Sequence, residues 1–425
     1  MGFATAWLEK KALFPRLIMD DPDAGTGIIV VIPAYGEGDI SAALDSLAGC
    51  NPPQCACEVI VHVNAPADAP EIFKEENKRT ISILKAWRDS GNSFFRLFIC
   101  DTGTHQIPHW GVGYARKTGM DEAVRRFDMI DNPKGIIVSL DADCAVNKDY
   151  FTGLYDSLYS RKEKNGCTIS VWNSRPDEDL PGEIIMAALK YELSRRYMFF
   201  GFRYAGYPWC FNVYGSAMAF KADIYIKSGG MNKREAGEDF WFMRKILPAG
   251  GFFHNSVSRV YASSRISGRV PFGTGRSVEN IISSPGEISG FCEPGVFEDL
   301  KILWEGAYKL YKKDPEDYLC FYENLAPGLK EFITPGKFTD CVAEVSANTG
   351  SQLSFAKRFF TCFDLLFAFR YLNYKSQGEK TENDFLLHSI RLAQKAGFGI
   401  KATTTFSSVL SFYRDSEAWI SYSPF

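Results

Sequence analysis

The chain of 425 residues is 46% hydrophobic and 23% charged, a composition typical of folded soluble domains that excludes extended disorder. With 48 Lys and Arg against 51 Asp and Glu, its formal net charge of −3 provides no overall field that would gather nucleic acid or an anionic membrane. The longest uncharged stretch, residues 204–220, contains Pro208 and Asn212 and is too polar to span a bilayer. No secretory signal pattern opens the sequence, so we expect a cytoplasmic protein, with association at the membrane periphery left open.

Short runs of β-branched and aromatic residues alternate with helical patterns over residues 28–140. The runs cover 28–32, 59–63, 94–99 and 136–140. Apolar residues at helical spacing follow the first and third runs; they are Ile40, Ala43, Leu44 and Leu47, and Met120, Ala123, Val124 and Phe127. This alternation predicts βαβ units and a mainly parallel sheet flanked by helices. Ligands bind such sheets at the carboxyl ends of the strands, so candidate functional residues are those that follow each run.

The pattern changes twice beyond this region. Residues 167–261 mix strand-like pieces with a helical pattern over 183–197, which predicts completion of the same α/β domain. After residue 284 the sequence predicts long amphipathic helices, which cover 296–312, 353–371 and 381–396. We therefore expect three parts: an N-terminal arm over 1–26, an α/β catalytic domain over 27–284 and a mainly helical C-terminal subdomain over 285–425.

An Asp-Ala-Asp sequence at 141–143 follows directly on the apolar run that ends at Leu140. Two carboxylates one residue apart at a strand end can both reach one divalent cation, and hard oxygen ligands suit Mg²⁺ or Mn²⁺ that also holds diphosphate oxygens. An acidic turn without a ligand is the alternative interpretation. Asp141 and Asp143 are therefore the candidate metal ligands.

Two glycine-containing turns are further candidates for ligand binding. The first strand ends in a Pro-Ala-Tyr-Gly-Glu-Gly turn at 33–38, where backbone N–H groups are exposed and Tyr35 could present its ring to a base or ribose. Residues 111–119 approach a helix that carries Arg116 and Lys117 in its first turn, a candidate anion site. An ordinary βα turn and a solvated helix face are the respective alternatives.

A Gly-Glu-Asp-Phe-Trp-Phe segment at 237–242 opens another predicted helix. Its two carboxylates could simply stabilise the helix N-terminus, which is the usual role of acidic residues there. The alternative role is general-base catalysis, because an Asp flanked by aromatic residues is shielded from water and can accept a proton from a hydroxyl group.

Residues 265–276 combine arginines with glycines. The arginines are Arg265, Arg269 and Arg276, and the glycines are Gly268, Gly273 and Gly275. This composition predicts a flexible cationic loop that could close over a diphosphate. A basic surface loop without a ligand is the alternative.

Taken in chain order, these five segments resemble glycosyltransferase family 2. The matching pieces are a Pro-Ala-Tyr-x-Glu strand end, an Ala-Arg-x-x-Gly helix, an Asp-x-Asp strand end, a Gly-Gly-Met stretch before Glu-Asp, and an Arg/Gly-rich loop. The resemblance covers residues 27–276 and leaves the C-terminal helices unassigned. It implies a GT-A type, Rossmann-like α/β fold and transfer of a sugar from a nucleotide-diphosphate sugar.

The resemblance also implies a role for each matching residue. The donor-binding residues would be Pro33, Ala34, Tyr35, Glu37, Asn64, Arg116, Asp141, Ala142, Asp143, Arg265 and Arg269. Asp141 and Asp143 would bind Mn²⁺ or Mg²⁺, and Asp239, with Glu238 beside it, would be the catalytic base of an inverting transfer. The family usually has Asp residues that recognise the base where this chain has Asn64, so the choice between a UDP-sugar and a GDP-sugar stays open.

The resemblance implies an acceptor that bears a hydroxyl group, for which a saccharide and a lipid-linked saccharide are both candidates. Three alternatives to an inverting enzyme remain. A retaining GT-A glycosyltransferase also uses Asp-x-Asp strand ends, and a nucleotidyltransferase also combines an α/β sheet with acidic metal ligands. The third alternative is an inactive sugar-binding homologue.

Overall fold

The computed structural model describes residues 2–37, 40–91, 93–105, 111–235, 237–266, 273–284, 288, 291–376, 382–401 and 403–419. The chain divides into two compact units. The first comprises Met1–Pro181 and Val213–Gly273, and the second comprises Gly182–Asn212 and Thr274–Trp419. The domain boundaries expected from the sequence stay predictions, and residues 182–212 group with the helical unit.

A sheet of eight strands crosses the first unit, within the ranges given above. In chain order the strands are β1 Thr26–Ala34, β2 Ala56–Pro66, β3 Arg96–His105, β4 Ile136–Ser139, β5 Ala145–Val146, β6 Gly166–Trp172, β7 Met218–Lys221 and β8 Phe252–Tyr261. Their order across the sheet is β3-β2-β1-β4-β7-β6-β8-β5. Strand β1 pairs in parallel with β2 and β4, β2 with β3, and β6 with β8. Strand β7 pairs antiparallel with β4 and β6, and β5 pairs antiparallel with β8. The sheet is mostly parallel, which confirms the expected fold class.

The helices are numbered along the chain. They are α1 Thr5–Lys11, α2 Ser41–Ala48, α3 Glu71–Asp89, α4 Val112–Met129, α5 Tyr150–Leu154, α6 Gly182–Tyr204, α7 Ala222–Lys227, α8 Glu238–Ile246, α9 Thr274–Ser283, α10 Gly295–Lys309, α11 Pro315–Glu323, α12 Pro327–Phe332, α13 Pro335–Ala347, α14 Gln352–Cys362, α15 Leu365–Lys375, α16 Glu382–Lys395 and α17 Phe406–Ser416. A π-helical turn, Tyr155–Tyr159, directly follows α5.

Burial explains why these segments adopt their structures. Residues 28–32 of β1 are fully buried, as expected for a β-branched run at the centre of a parallel sheet. Leu44 and Leu47 of α2, and Met120 and Phe127 of α4, are also fully buried, so the helix faces predicted from spacing are confirmed.

Strands β1 and β4 flank the point where the strand order reverses. From β1 the chain moves outward through β2 to β3, and it then returns to place β4 on the other side of β1. Such a reversal leaves a crevice at the carboxyl ends of the two strands, where open α/β sheets bind ligands. The residues that follow β1, from Tyr35 to Glu37, and the Asp-Ala-Asp sequence that follows β4 both begin at this edge.

The N-terminal arm is fastened to α4. Asp128 accepts hydrogen bonds from the backbone N–H of Ala4 at 2.6 Å and from the hydroxyl of Thr5 at 2.8 Å. Glu122 accepts from the backbone N–H groups of Leu17 and Ile18, at 3.2 and 3.0 Å. The arm is therefore part of the first unit.

The second unit is helical, and the C-terminal helical region predicted from the sequence is confirmed. The single helix predicted over 353–371 is wrong, because the chain forms α14 and α15 there. Asp364 lies between them and accepts a hydrogen bond from the backbone N–H of Phe367 at 3.1 Å, which caps a new helix start. Within the ranges described above, no helix is long and apolar enough to cross a bilayer.

Candidate active site

The Asp-Ala-Asp sequence forms a tight turn at the end of β4. The backbone N–H of Leu140 donates to the carbonyl of Val31 at 3.1 Å, which extends the pairing with β1 by one residue. The N–H of Cys144 then donates to the carbonyl of Asp141 at 3.1 Å and closes the turn. The side chains of Asp141 and Asp143 are 37% and 28% exposed to solvent, so both carboxylates remain open to a ligand.

A buried arginine connects this turn to α8. Arg116 of α4 donates from Nε to the Ser139 hydroxyl at 3.2 Å, from Nη2 to Asp141 and from Nη1 to Glu238, the first residue of α8. A Cβ on Gly215 would lie 2.6 Å from the Arg116 guanidinium, so the chain before β7 leaves room for the arginine by having no side chain there. The N-terminal part of α4 thus contributes Arg116 to a buried ion-pair centre and not to the solvated face considered above.

More negative than positive charge surrounds Arg116, because the carboxyl groups of Asp141, Glu238 and Asp239 all interact electrostatically with its single guanidinium. Burial by itself lowers the pKa of Arg116, but Asp141 and Glu238 outweigh that effect and raise it. Burial also raises the pKa of Glu238, to about 7, against the opposing charge of Arg116 and with the support of Asp239. Burial therefore favours the protonated form of Glu238 below about pH 7, and above that pH its carboxylate forms the ion pair with Arg116.

Asp239 differs from Glu238 in its exposure. Glu238 is 2% exposed and faces Arg116, whereas Asp239 is half-buried. Gly237, with φ of 70°, supplies the left-handed residue that starts α8. Of the two adjacent carboxylates, only Asp239 retains access to a second molecule.

Arg265 joins Asp143 to the turn after β1. Its Nη2 atom donates to Glu37 Oε2 at 2.5 Å and to Asp143 Oδ2 at 3.2 Å. Burial by itself lowers the pKa of Arg265. The charges of Asp143 and Glu37 raise the pKa by more than burial lowers it, so the guanidinium is cationic. Residues 267–272 of the predicted cationic loop, which include Arg269, lie outside the described residues. Gly38 of the turn after β1 lies outside them as well.

Two residues that the sequence did not suggest support this arrangement. Arg175 donates to the Asp143 carbonyl at 3.0 Å, and Glu178 accepts from the backbone N–H of Ser264 at 3.0 Å. Both follow β6, whose carboxyl end lies beside that of its parallel partner β8. Their position after a strand was the available signal, but no motif marked it.

The turn after β1 is held by Asn77 of α3. Its Oδ1 atom accepts from the Gly36 N–H at 2.9 Å, and its Nδ2 atom donates to the Asn64 carbonyl at 2.9 Å. The Tyr35 ring contacts Phe73 edge to face, with centroids 5.3 Å apart. Of the residues expected at the nucleoside, Ala34 and Asn64 are buried beneath the turn, whereas Pro33, Tyr35 and Glu37 are partly exposed. Asn77 is a further residue that sequence reasoning missed.

The start of α4 is closed by backbone contacts. The N–H of Gly113 donates to the carbonyl of Arg234 at 3.2 Å, and the N–H groups of Tyr114 and Ala115 both donate to Gly111. A Cβ on Gly113 would lie 2.3 Å from that Arg234 carbonyl, which explains the glycine. These three amides are already bonded within the protein, and the anion site considered for this helix start stays a prediction.

No protein-family profile matches the chain, and no curated protein matches it. Among solved structures, the chain is similar to S. aureus TarS 1–349 in complex with UDP-GlcNAc, at 13% identity and a TM-score of 0.38, over 83% of this chain and 92% of that one. It is also similar to the mannosyltransferase PcManGT from Pyrobaculum calidifontis in complex with GDP-Man and Mn²⁺, at 15% identity and a TM-score of 0.37, over 88% of this chain and 92% of that one.

The Asp-Ala-Asp turn offers two carboxylates to a divalent cation. Among the described residues, no three His, Cys, Asp or Glu side chains form a group that could hold a metal ion by themselves. Asp141 and Asp143 each contact an arginine, so this place attracts positive charge. Mg²⁺ is commonly held by one or two carboxylates together with water and substrate phosphates. The residues therefore fit a cation that binds together with a diphosphate.

Proposed function

We propose that this protein is a glycosyltransferase that moves a sugar from a UDP-sugar or GDP-sugar to the hydroxyl group of an acceptor. One observation carries the proposal: the Asp141/Asp143 turn, Arg265 and the Glu-Asp start of α8 are joined by ion pairs at the edge where the strand order reverses. Acidic, cationic and candidate base groups are the parts that transfer from a diphosphate leaving group requires.

The donor would lie along the carboxyl ends of β1 and β4. In this proposal the nucleoside binds beside the turn that contains Pro33, Ala34 and Tyr35, with Glu37 and Asn64 at its border. Asp141 and Asp143 would hold Mn²⁺ or Mg²⁺, which neutralises charge on the departing diphosphate. Arg265 supplies further positive charge at this position, and Arg269 is expected to do the same.

Asp239 is the proposed general base. Its carboxylate takes the proton of the acceptor hydroxyl as the acceptor oxygen forms a bond to the anomeric carbon. The bond from that carbon to the diphosphate oxygen breaks, and the electron pair leaves with the nucleoside diphosphate. A direct displacement of this kind inverts the anomeric centre. The partial exposure of Asp239, against the burial of Glu238, supports this assignment.

The test is a transfer assay with purified protein, Mn²⁺, a panel of UDP-sugars and GDP-sugars, and saccharide and lipid-linked saccharide acceptors. We expect release of UDP or GDP together with a glycosylated product of inverted anomeric configuration, determined by NMR. A product of retained configuration would contradict the role of Asp239. Release of pyrophosphate instead would point to nucleotidyl transfer, and the absence of any product would contradict the proposed function.

A further inference from the structure

Each of the three guanidinium nitrogens of Arg116 donates a hydrogen bond to a different residue of this chain. Nε contacts Ser139, Nη2 contacts Asp141 and Nη1 contacts Glu238. The arginine is only 4% exposed, and Gly215 lies against the guanidinium. A nucleotide could reach the buried Arg116 only if one of these partners were displaced, and two of them, Ser139 and Glu238, are themselves buried, so the loss of their bonds to the arginine is strongly unfavourable.

The partners of Arg116 belong to separate parts of the proposed site. Ser139 and Asp141 lie 23 and 25 positions from Arg116 in sequence, at the end of β4, whereas Glu238 lies 122 positions away and begins α8. One residue thus connects the carboxylate turn with the helix that carries the neighbouring Asp239. The planar fork of arginine suits this geometry, because a lysine ammonium is a single point charge on a flexible stem.

We propose that Arg116 is a positioning residue that fixes the start of α8, and with it Asp239, relative to Asp141, and that it is not a ligand of the nucleotide. This inference rests on the proposed function. It replaces the role in donor binding that the family resemblance implies for Arg116. Loss of the connection is expected to misplace the base with respect to the donor, and a misplacement of about 1 Å can lower turnover by about a hundredfold.

The experiment is a double-mutant cycle with Arg116→Lys, Glu238→Gln and the combined variant. We expect each single variant to lower kcat by at least about tenfold while the donor KM changes less than about threefold. The combined variant should lose no more than the larger single effect, because both substitutions remove the same connection.

Arg126→Lys is the matched control. Arg126 lies on the same helix, is equally buried and forms an ion pair with Glu58, including a 2.7 Å bond from Nη2 to Oε1. Loss of a buried arginine pair in general would affect both variants alike. We expect Arg126→Lys to lower the thermal midpoint with kcat unchanged, whereas Arg116→Lys lowers kcat.

Gly215→Ala provides a second variant that keeps all charges, in case the Arg116 variants fail to fold. The Gly215 backbone is not in the left-handed region, so alanine adds only a Cβ that displaces the guanidinium. It should lower kcat with an unchanged donor KM, as Arg116→Lys does.

This inference would be overturned, with the proposed function intact, if Arg116→Lys raised the donor KM at least tenfold at unchanged kcat. Additive effects of Arg116→Lys and Glu238→Gln on kcat would have the same meaning. Normal kcat in the folded Gly215→Ala protein would overturn it as well. If the wild-type protein transfers no sugar at all, the proposed function fails, and this inference fails with it.

Discussion

Glu238 and Asp239 are neighbours in sequence, but their surroundings differ. Glu238 is buried against Arg116, and Asp239 remains half-buried on the first turn of the same helix. Adjacent residues of a helix point in different directions, so only one of the two carboxylates can face an acceptor. The proposed mechanism therefore depends on which of these two residues takes the proton.

We predict that Asp239→Asn lowers turnover by at least about a hundredfold, the lower end of what general-base catalysis contributes, and leaves donor binding nearly intact. The amide keeps the shape of the carboxylate but cannot accept the proton. Steady-state rates and donor calorimetry measure the two effects. Near-normal turnover would mean that Asp239 only places negative charge at the N-terminus of α8, where it interacts with the helix dipole. A larger loss in Glu238→Gln than in Asp239→Asn would show that the base is misassigned.

The raised pKa of Glu238 predicts a pH dependence of stability. Its ordinary pKa is 4.5 and its pKa in the folded protein is about 7, because burial disfavours the charged form. The folded state thus binds a proton that the unfolded state releases between these values. The contribution of Glu238 to stability is fully present below pH 4.5 and is lost as the pH rises through 7.

We therefore expect Glu238→Gln to reduce the fall in the urea midpoint of metal-free protein between pH 5 and pH 8. The comparison with wild type cancels the titration of groups that the two proteins share. An identical pH profile in both proteins would contradict the raised pKa.

At the scale of elements, the turn after β1 depends on α3. Asn77 bonds both the Gly36 N–H and the Asn64 carbonyl, and it thereby ties the ends of β1 and β2 to this helix. Gly36 has φ of 58°, and a Cβ there would lie 2.7 Å from the Phe73 ring, so the turn has a close-packed shape. The proposed nucleoside site depends on that shape.

We predict that Asn77→Ala raises the donor KM several-fold with little change in kcat. It should also lower the free energy of unfolding by about 1–3 kcal/mol, the cost of a buried polar group left without its partner. Thr80→Ala on the same helix is the matched control, since the Thr80 hydroxyl donates within α3, to the Glu76 carbonyl at 2.9 Å. An unchanged donor KM in Asn77→Ala would contradict a nucleoside site at this turn.

The sequence predicted the elements whose signal is local. The buried run at 28–32 and the spacing of Met120, Ala123 and Phe127 indicate a central strand and a helix face without knowledge of the rest of the chain. Contacts between distant segments carry no such signal, which is why Asn77, Arg175 and Glu178 were missed. The split of 353–371 was also missed, because the cap formed by Asp364 lies inside an apolar pattern that continues on both sides.

At the scale of the whole molecule, the first unit contains every described residue of the proposed site. The second unit has its own buried ion network, in which Glu192 of α6 accepts from Arg196 at 3.0 Å and from Arg414 of α17 at 2.7 and 2.8 Å. These bonds fasten the last long helix to α6. The candidate chemistry therefore belongs to the α/β unit, and the helices of the second unit carry none of the residues assigned to it.

The proposed reaction requires that donor binding depend on a divalent cation, and isothermal calorimetry of UDP and GDP measures this dependence. Without a cation, Asp141 and Asp143 repel the diphosphate, so we expect binding with Mn²⁺ and weak or no binding with EDTA. Asp143→Asn should weaken binding in Mn²⁺. Asp149→Asn is the control and should not weaken it, because Asp149 follows β5 in the chain whereas Asp143 precedes it. Equal affinity with Mn²⁺ and with EDTA, or full affinity in Asp143→Asn, would contradict the account.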